Sequence, residues 1–114
     1  MMEFSYEGIG QVVATFAAEE GVEPGMAVAV IDNGTVGVPS GGADFCGKVL
    51  AVNGDCCAVQ VGGFMELAFT GETPTVGWNT VACDGQGGIW VGQGSQTRLI
   101  VHVDEDKQTI VIKL

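Results

Sequence analysis

The stretch GKVLAVNGDCCAVQVGGFMELAF, residues 47–69, decides the fold class of this chain. Two apolar runs, at residues 48–52 and 56–61, flank the dipeptide Asn53-Gly54. Because Asn and Gly both tolerate a positive φ, the pattern predicts a β-hairpin with a two-residue type I′ turn at Asn53-Gly54. A third apolar run follows a pair of glycines, at residues 64–69, so the simplest interpretation is a three-stranded β-meander.

Short apolar runs and turn signals continue on both sides of this stretch. Residues 26–31 are followed by Asn33-Gly34, which predicts a second tight turn into a short strand. Residues 76–83 and 89–91 predict two neighbouring strands separated by a glycine-rich turn, and a first strand is expected at about residues 9–16. This spacing is typical of an all-β fold, here a small single-domain β-barrel or β-sandwich of short antiparallel strands and hairpins.

The chain closes with a second predicted hairpin, whose tip is the acidic segment at residues 104–107. Apolar residues alternate along both arms, so one face of each arm is expected to lie on the core and the other to face outward. The outward positions include Ile100 and His102. The core-facing positions are Leu99, Val101, Val103, Ile110, Ile112 and Leu114.

Composition and charge exclude several classes of function. Hydrophobic residues make up 46% of the chain and charged residues 16%, which is the composition of a folded domain rather than a disordered segment. The net charge of −10 repels phosphate, so no nucleic-acid partner and no anionic membrane surface is expected. No apolar run reaches the roughly 18 residues of a membrane span, and the N-terminal residues do not resemble a signal peptide, so synthesis in a cytosol is expected.

Four cysteines, Cys46, Cys56, Cys57 and Cys83, have no zinc-knuckle or C-x-x-C spacing. In a cytosolic protein disulfides are disfavoured, so all four are expected to be reduced, metal-free thiols that act as small apolar core residues. Cys56 and Cys57 are adjacent and would point to opposite faces of a strand.

The residues needed for catalysis are not grouped in the sequence. There is one histidine, His102, and none of the three serines lies in a G-x-S-x-G motif. The glycine clusters lack the pattern of a dinucleotide or phosphate loop, and the acidic tip lacks that of a calcium loop. The sequence therefore predicts no enzyme activity, no catalytic residue, no cofactor and no metal site.

Trp78 and Trp90 are open to two interpretations. Both could be core residues of neighbouring strands, or they could be anchors of an interface, where Trp is enriched. Taken as interface residues, they are candidate partner-binding positions together with Phe4 and Tyr6 of the N-terminal segment.

The order of several short motifs between residues 22 and 114 resembles the capsid decoration, or cement, proteins of tailed phages. These motifs are the turn and strand Pro24-Gly25-Met26-Ala27-Val28, Gly-Thr-Val-Gly-Val at 34–38, Val-x-Val at 59–61, Gly-Phe-Met-Glu-Leu at 63–67, Pro-x-x-Gly-Trp at 74–78, Asp84-Gly85 and a final Ile-x-Leu. The N-terminal residues do not match, which leaves residues 1–8 as a candidate flexible arm on a domain that spans residues 1–114.

The resemblance implies a non-enzymatic virion structural protein, assembled in the bacterial host cytoplasm, that decorates and stabilises the capsid exterior. Its expected partners are the major capsid protein and other copies of itself, with a trimer favoured because such proteins often occupy threefold positions. Strands that are apolar on both faces also argue for an oligomer.

A second hypothesis is a small β-barrel module that binds a sugar or a peptide. It predicts one concave pocket lined by Trp78 or Trp90 with polar partners. The capsid hypothesis instead predicts an exposed apolar patch.

Overall fold

The computed structural model describes residues 9–114, so predictions for residues 1–8 lie outside the described part of the chain. Within residues 9–114 all regular structure is β-strand, which confirms the all-β prediction. The ten strands are β1 (Val12–Ala18), β2 (Ala27–Asp32), β3 (Thr35–Gly37), β4 (Gly47–Asn53), β5 (Cys56–Gly62), β6 (Phe64–Thr70), β7 (Gly77–Cys83), β8 (Ile89–Val91), β9 (Gln96–Asp104) and β10 (Thr109–Lys113).

The strands form two closed five-stranded barrels, one from each half of the chain. Around the first barrel the order is β1-β3-β2-β4-β5, and around the second it is β6-β8-β7-β9-β10. The second order equals the first with five added to each strand number. Each barrel also has one parallel pair, β1 with β3 and β6 with β8, while its other pairs are antiparallel. The chain therefore repeats one topology twice.

The hairpin at the centre of the sequence is confirmed, but its turn differs from the predicted one. Asn53 pairs with Cys56, so the central residues of the turn are Gly54 and Asp55. Gly54 has a φ of 63°, and neither Asn53 nor Asp55 has a positive φ, so the predicted type I′ turn at Asn53-Gly54 is wrong. The register between β4 and β5, which depends on the inward-facing residues of β5, determines which residues form the turn. At Asn33-Gly34 the tight turn is confirmed, since Asp32 pairs with Thr35.

The predicted three-stranded meander is also wrong, because β6 pairs with β10 and β8 rather than with β5. The chain leaves the first barrel at Gly63, which has a φ of 89°. A Cβ atom here would lie 2.9 Å from backbone atoms of Gly10, so only glycine fits. The Gly-Gly pair that separates the two apolar runs is thus the junction between two barrels.

The closing hairpin forms as predicted, but a β-bulge changes which residues of β9 face the core. Ile110 pairs with Val103 and Ile112 with Ile100, so Val101 is the extra residue of the bulge. Ile100 is buried although it was expected to face outward, and Leu99 and Val101 are only half-buried. A bulge inserts one residue into a strand, so on one side of it the inward-facing and outward-facing positions are exchanged.

Each barrel has its own apolar core, and the second core also contains residues from the first half of the chain. The first core is formed by Val22, Val28, Val36, Val49, Cys57 and Val59. The second is formed by Met65, Leu67, Phe69, Val81, Cys83, Ile89, Ile100, Ile110 and Ile112, and Ala27 and Phe45 pack into it.

The segment between β3 and β4 makes this connection. The Gly42 N–H donates to the Cys83 carbonyl, and the Cys83 N–H donates to the Ala43 carbonyl, each at 2.8 Å. The Gln96 side chain holds Phe45 from both sides, since its Oε1 accepts from the Phe45 N–H at 3.2 Å and its Nε2 donates to the Phe45 carbonyl at 3.0 Å. The two barrels are therefore joined by hydrogen bonds and by a shared core.

The shared core explains why strand β2 is apolar on both faces. Val28 points into the first core, and its neighbour Ala27 packs into the second. Apolar residues that predicted an oligomer are thus partly covered within one chain. The oligomer remains a prediction, and it now depends on the apolar side chains that the structure leaves exposed.

Candidate functional site

Several large apolar side chains lie on the outer surface of the two barrels. They are Ile9, Val12, Val13, Val30, Ile31, Leu50, Val52, Val76, Trp78 and Trp90. The two tryptophans are the largest of them, and both belong to the second barrel. The interpretation of both as core residues is therefore wrong, and each marks a separate candidate surface.

The first surface, which we call the Trp78 face, consists of Val76, Trp78 and Leu99. Trp78 is 72% exposed and Val76 is 62% exposed. Trp78 on β7 lies directly opposite the half-buried Leu99 on β9, so the two side chains share the outer face of the barrel. At this exposure Trp78 keeps most of its apolar surface accessible to a partner.

The second surface, which we call the Trp90 trough, lies where β6, β7 and β8 meet. Trp90 on β8 pairs with Thr70 of β6 and Ala82 of β7, and its indole is 37% exposed. Two depressions share this indole as a wall. One, of about 400 Å³, is also lined by Gly71, Glu72, Val91 and Gln93, and the other, of about 220 Å³, by Thr70, Asp84 and Gln86.

Asp84 is held in place by the turn between β7 and β8. Its Oδ1 accepts hydrogen bonds from the backbone N–H groups of Gln86 at 2.7 Å and Gly88 at 3.0 Å. The Thr70 hydroxyl donates to Oδ2 at 3.4 Å. A Cβ atom on Gly88 would collide with this carboxylate, so the glycine makes room for it. The result is a fixed acceptor at the edge of the trough.

The structure does not bring the predicted partner-binding residues together. β7 and β8 are neighbours as predicted, but Trp90 lies opposite Ala82, four residues along β7 from Trp78. At about 3.3 Å per residue this separates the two positions by about 13 Å along the strand. Phe4 and Tyr6 lie outside the described residues. Trp78 and Trp90 are therefore two surfaces rather than one.

Sequence reasoning missed the polar residues of the trough. Gln86 and Gln93 each lie in a Gly-Gln-Gly cluster, and these clusters were interpreted only as turns. The available signal was their position, because the two clusters flank the short strand that carries Trp90.

The four cysteines are free thiols in different environments. Cys57 is buried and Cys56 exposed, as expected for neighbours on opposite faces of a strand, so Cys56 is not the core residue that was predicted. Burial raises the pKa of the Cys46 and Cys57 thiols. Burial, with smaller contributions from the charges of Asp84 and Asp44, raises the pKa of Cys83 to about 12. Buried neutral thiols of this kind are poor nucleophiles.

The raised pKa of Cys83 makes the free energy of unfolding depend on pH in the alkaline range. Above pH 9.0, the ordinary pKa of a thiol, the unfolded chain loses thiol protons that folded Cys83 keeps. The free energy of unfolding should therefore fall between about pH 9 and about pH 12. Urea denaturation across this range should show a shallower fall for Cys83→Ala than for the parent. An identical pH dependence in the two proteins would contradict the assignment.

No cluster suited to metal chemistry lies in the described part of the chain. Within residues 9–114, no group of three or more His, Cys, Asp and Glu side chains is close enough to hold a metal ion. The same residues contain no helix with the length and hydropathy needed to cross a membrane.

Comparison with known proteins does not assign the chain to a family. No protein-family model matches it, and no curated protein sequence matches it at a significant level.

Proposed function

We propose that this protein is a non-enzymatic structural protein that binds the exterior of a phage capsid and stabilises the shell. The observation that carries the proposal is the Trp78 face, with an exposed tryptophan on β7 of a closed barrel and an exposed valine just before that strand. Exposed apolar groups on a rigid support are typical of protein interfaces, and Trp is the residue most enriched among their energetic anchors. The order of sequence motifs that resembles decoration proteins supports the same function.

The two-barrel architecture supports a bridging role. The second barrel carries the Trp78 face, and the first barrel exposes its own apolar residues, Val30, Ile31 and Leu50. If each barrel contacts a different subunit of the shell, the hydrogen bonds and the shared core that join the barrels link those subunits. A second contact made by an already bound chain is intramolecular, which strengthens the attachment without a new type of contact.

The proposed partners are the major capsid protein and further copies of this chain, with a trimer favoured. Other exposed valines on the first barrel, Val12 and Val13, supply apolar surface for self-association. Analytical ultracentrifugation at tens of micromolar should show a compact oligomer, and a monomer at that concentration would contradict the oligomer proposal.

Replacing Trp78 by alanine should weaken binding to the shell. As the central anchor of the proposed interface, Trp78 should contribute about 2 kcal/mol, which corresponds to about a 30-fold loss of affinity. The measurement is co-sedimentation with preassembled shells of the cognate capsid protein. Because the side chain is mostly exposed, the thermal midpoint of the variant should stay close to that of the parent.

Trp90→Ala is the matched control, since it removes an indole from the same barrel at a different surface. Equal shell binding by Trp78→Ala and the parent would contradict the role of the Trp78 face. Failure of the parent itself to bind the shells would contradict the proposed function. Deletion of residues 1–8 tests the predicted N-terminal arm separately, through the affinity of the truncated chain.

A further inference from the structure

We propose that the Trp90 trough is a binding site for a neutral carbohydrate, an uncharged oligosaccharide chain. This inference goes beyond capsid decoration and does not depend on it, because the trough and the Trp78 face are separate surfaces. The sequence left open a module that binds a sugar, and the residues of the Trp90 trough are the ones that we propose bind it.

The shape of the trough suits an extended ligand. Its two depressions, of about 400 Å³ and about 220 Å³, share the Trp90 indole as a wall. Ligand sites typically occupy roughly 300–1,000 Å³, and the larger depression falls in that range. A chain of linked rings could place units in both depressions while contacting one indole.

The lining residues supply the two kinds of contact that a sugar needs. The face of an indole carries partial negative charge and attracts the C–H groups of a sugar ring. Gln86 and Gln93 each offer both donors and acceptors, and Glu72 and Asp84 offer acceptors. Sugar hydroxyls both donate and accept hydrogen bonds, so they can pair with this set.

Charge limits the ligand to an uncharged sugar. Among residues 9–114, two carboxylates and no lysine or arginine line the depressions, and the whole chain carries a net charge of −10. An acidic polysaccharide or a phosphate-bearing ligand would be repelled. A quaternary ammonium ion would be attracted by an indole beside carboxylates, but one indole does not form the aromatic cage that such ions favour. The two glutamine amides instead favour hydroxyl groups.

The strand pairing argues against a peptide. Peptides commonly bind by adding a strand to a free sheet edge. β8, which carries Trp90, is paired with β6 on one side and β7 on the other, in a barrel that is closed. This site therefore offers no backbone edge to a peptide.

Two groups of the site, the Asp84 carboxylate and the Trp90 indole, are supported by contacts within the chain. Asp84 is fixed by three hydrogen bonds, as described above. Gly41, from the segment between β3 and β4, lies against the indole, since a Cβ atom on it would be 3.5 Å from Cη2 and Cζ3 of Trp90. The first barrel thus supports the aromatic wall of a site on the second, and a fixed wall lowers the ordering cost of binding.

Intrinsic fluorescence provides a direct test. The chain has two tryptophans, so a Trp78→Phe variant reports on Trp90 alone. This variant should be titrated with neutral hexasaccharides of β-1,4-linked glucose, α-1,4-linked glucose and β-1,4-linked N-acetylglucosamine. Galacturonic acid hexamer and choline serve as the charged probes. We expect a saturable change in Trp90 fluorescence with at least one neutral hexasaccharide and none with galacturonic acid hexamer.

Variants of the trough then locate the binding. Calorimetry with the hexasaccharide that binds should show at least a tenfold loss of affinity for Trp90→Ala, and a smaller loss for Gln86→Ala and for Gln93→Ala. Trp78→Ala should bind the sugar like the parent. Because Trp90 is partly buried, Trp90→Phe provides a second variant that keeps an aromatic wall, and it should retain part of the affinity.

Two results would overturn the proposal. One is no response to any neutral hexasaccharide, with or without a response to choline. The other is unchanged sugar affinity in Gln86→Ala, Gln93→Ala and Trp90→Ala. Neither of these results bears on capsid decoration, which is tested by Trp78→Ala. The two proposals can therefore fail independently.

Discussion

Replacing Phe45 by alanine is expected to lower the free energy of unfolding by about 3–5 kcal/mol, the usual cost of removing a buried phenylalanine side chain. Phe45 belongs to the first half of the chain, but it is 4% exposed and packs into the core of the second barrel. Its loss should leave a cavity there, because the Gln96 amide holds the backbone at this position and limits collapse. The thermal midpoint should fall by roughly 10–30 °C.

Urea denaturation followed by tryptophan fluorescence measures this change, since Trp78 and Trp90 both report on the second barrel. Leu50→Ala is the control, because it removes a comparable apolar side chain that is 39% exposed. The control substitution should lower the free energy of unfolding by less than about 1 kcal/mol. A cost below about 1 kcal/mol for Phe45→Ala as well would show that the barrels do not depend on this contact.

Alanine at position 47 is also expected to be strongly destabilising, with a loss of about 3 kcal/mol or more in the free energy of unfolding or a failure to accumulate as soluble protein. A Cβ atom on Gly47 would overlap the backbone carbonyl oxygen of Gln60 and lie 2.9 Å from the Val59 side chain. Neither contact can be relieved by rotating a flexible side chain. β4 and β5 would have to separate, and with them the closed first barrel.

Gly41→Ala is the matched substitution, because Gly41 does not have a positive φ and its nearest neighbours lie at ordinary contact distance. Its effect on the free energy of unfolding should stay within about 1 kcal/mol, since alanine also restricts the unfolded chain. Soluble expression and urea denaturation compare the two variants. Equal stability of Gly47→Ala and the parent would mean that β4 and β5 do not approach as closely as described.

Local features of the fold were predictable from the sequence, and long-range features were not. The hairpins and the short strand β8 follow from turn residues and apolar runs that are close in the chain. The closure of each barrel instead depends on pairs such as β1 with β5 and β6 with β10, whose partners are far apart in sequence. The bulge at Val101 also has no local signature, and it reversed the predicted faces of Leu99 and Ile100.

The repeated topology could not be recognised in the sequence either. The two halves share strand order and pairing, but they differ in the residues that fill each core and in loop length. The first barrel's connection from β3 to β4 spans residues 38–46, whereas the equivalent connection from β8 to β9 spans residues 92–95. The longer connection carries Phe45, so the segment that joins the barrels is also the one that obscures the repeat.

The candidate surfaces were only partly predictable. Trp78 and Trp90 were candidates by residue type, and exposure distinguished them from core residues only once the structure placed them. Gln86 and Gln93 had a signal only in the two Gly-Gln-Gly clusters that flank β8, and Glu72 had none, because these residues line the trough from turns between strands rather than as parts of a known motif.

The two barrels depend on each other unequally, and this matters for the order in which they can fold during protein synthesis. Ala27 and Phe45 complete the second core, whereas the first core is built from first-half residues among those described. A ribosome makes the chain from the N-terminus, so the first barrel has all of its core residues before the second half emerges. Ala27 and Phe45 are then already synthesised when β6 to β10 close around them. The order of translation would thus match the order in which the two barrels can be stabilised.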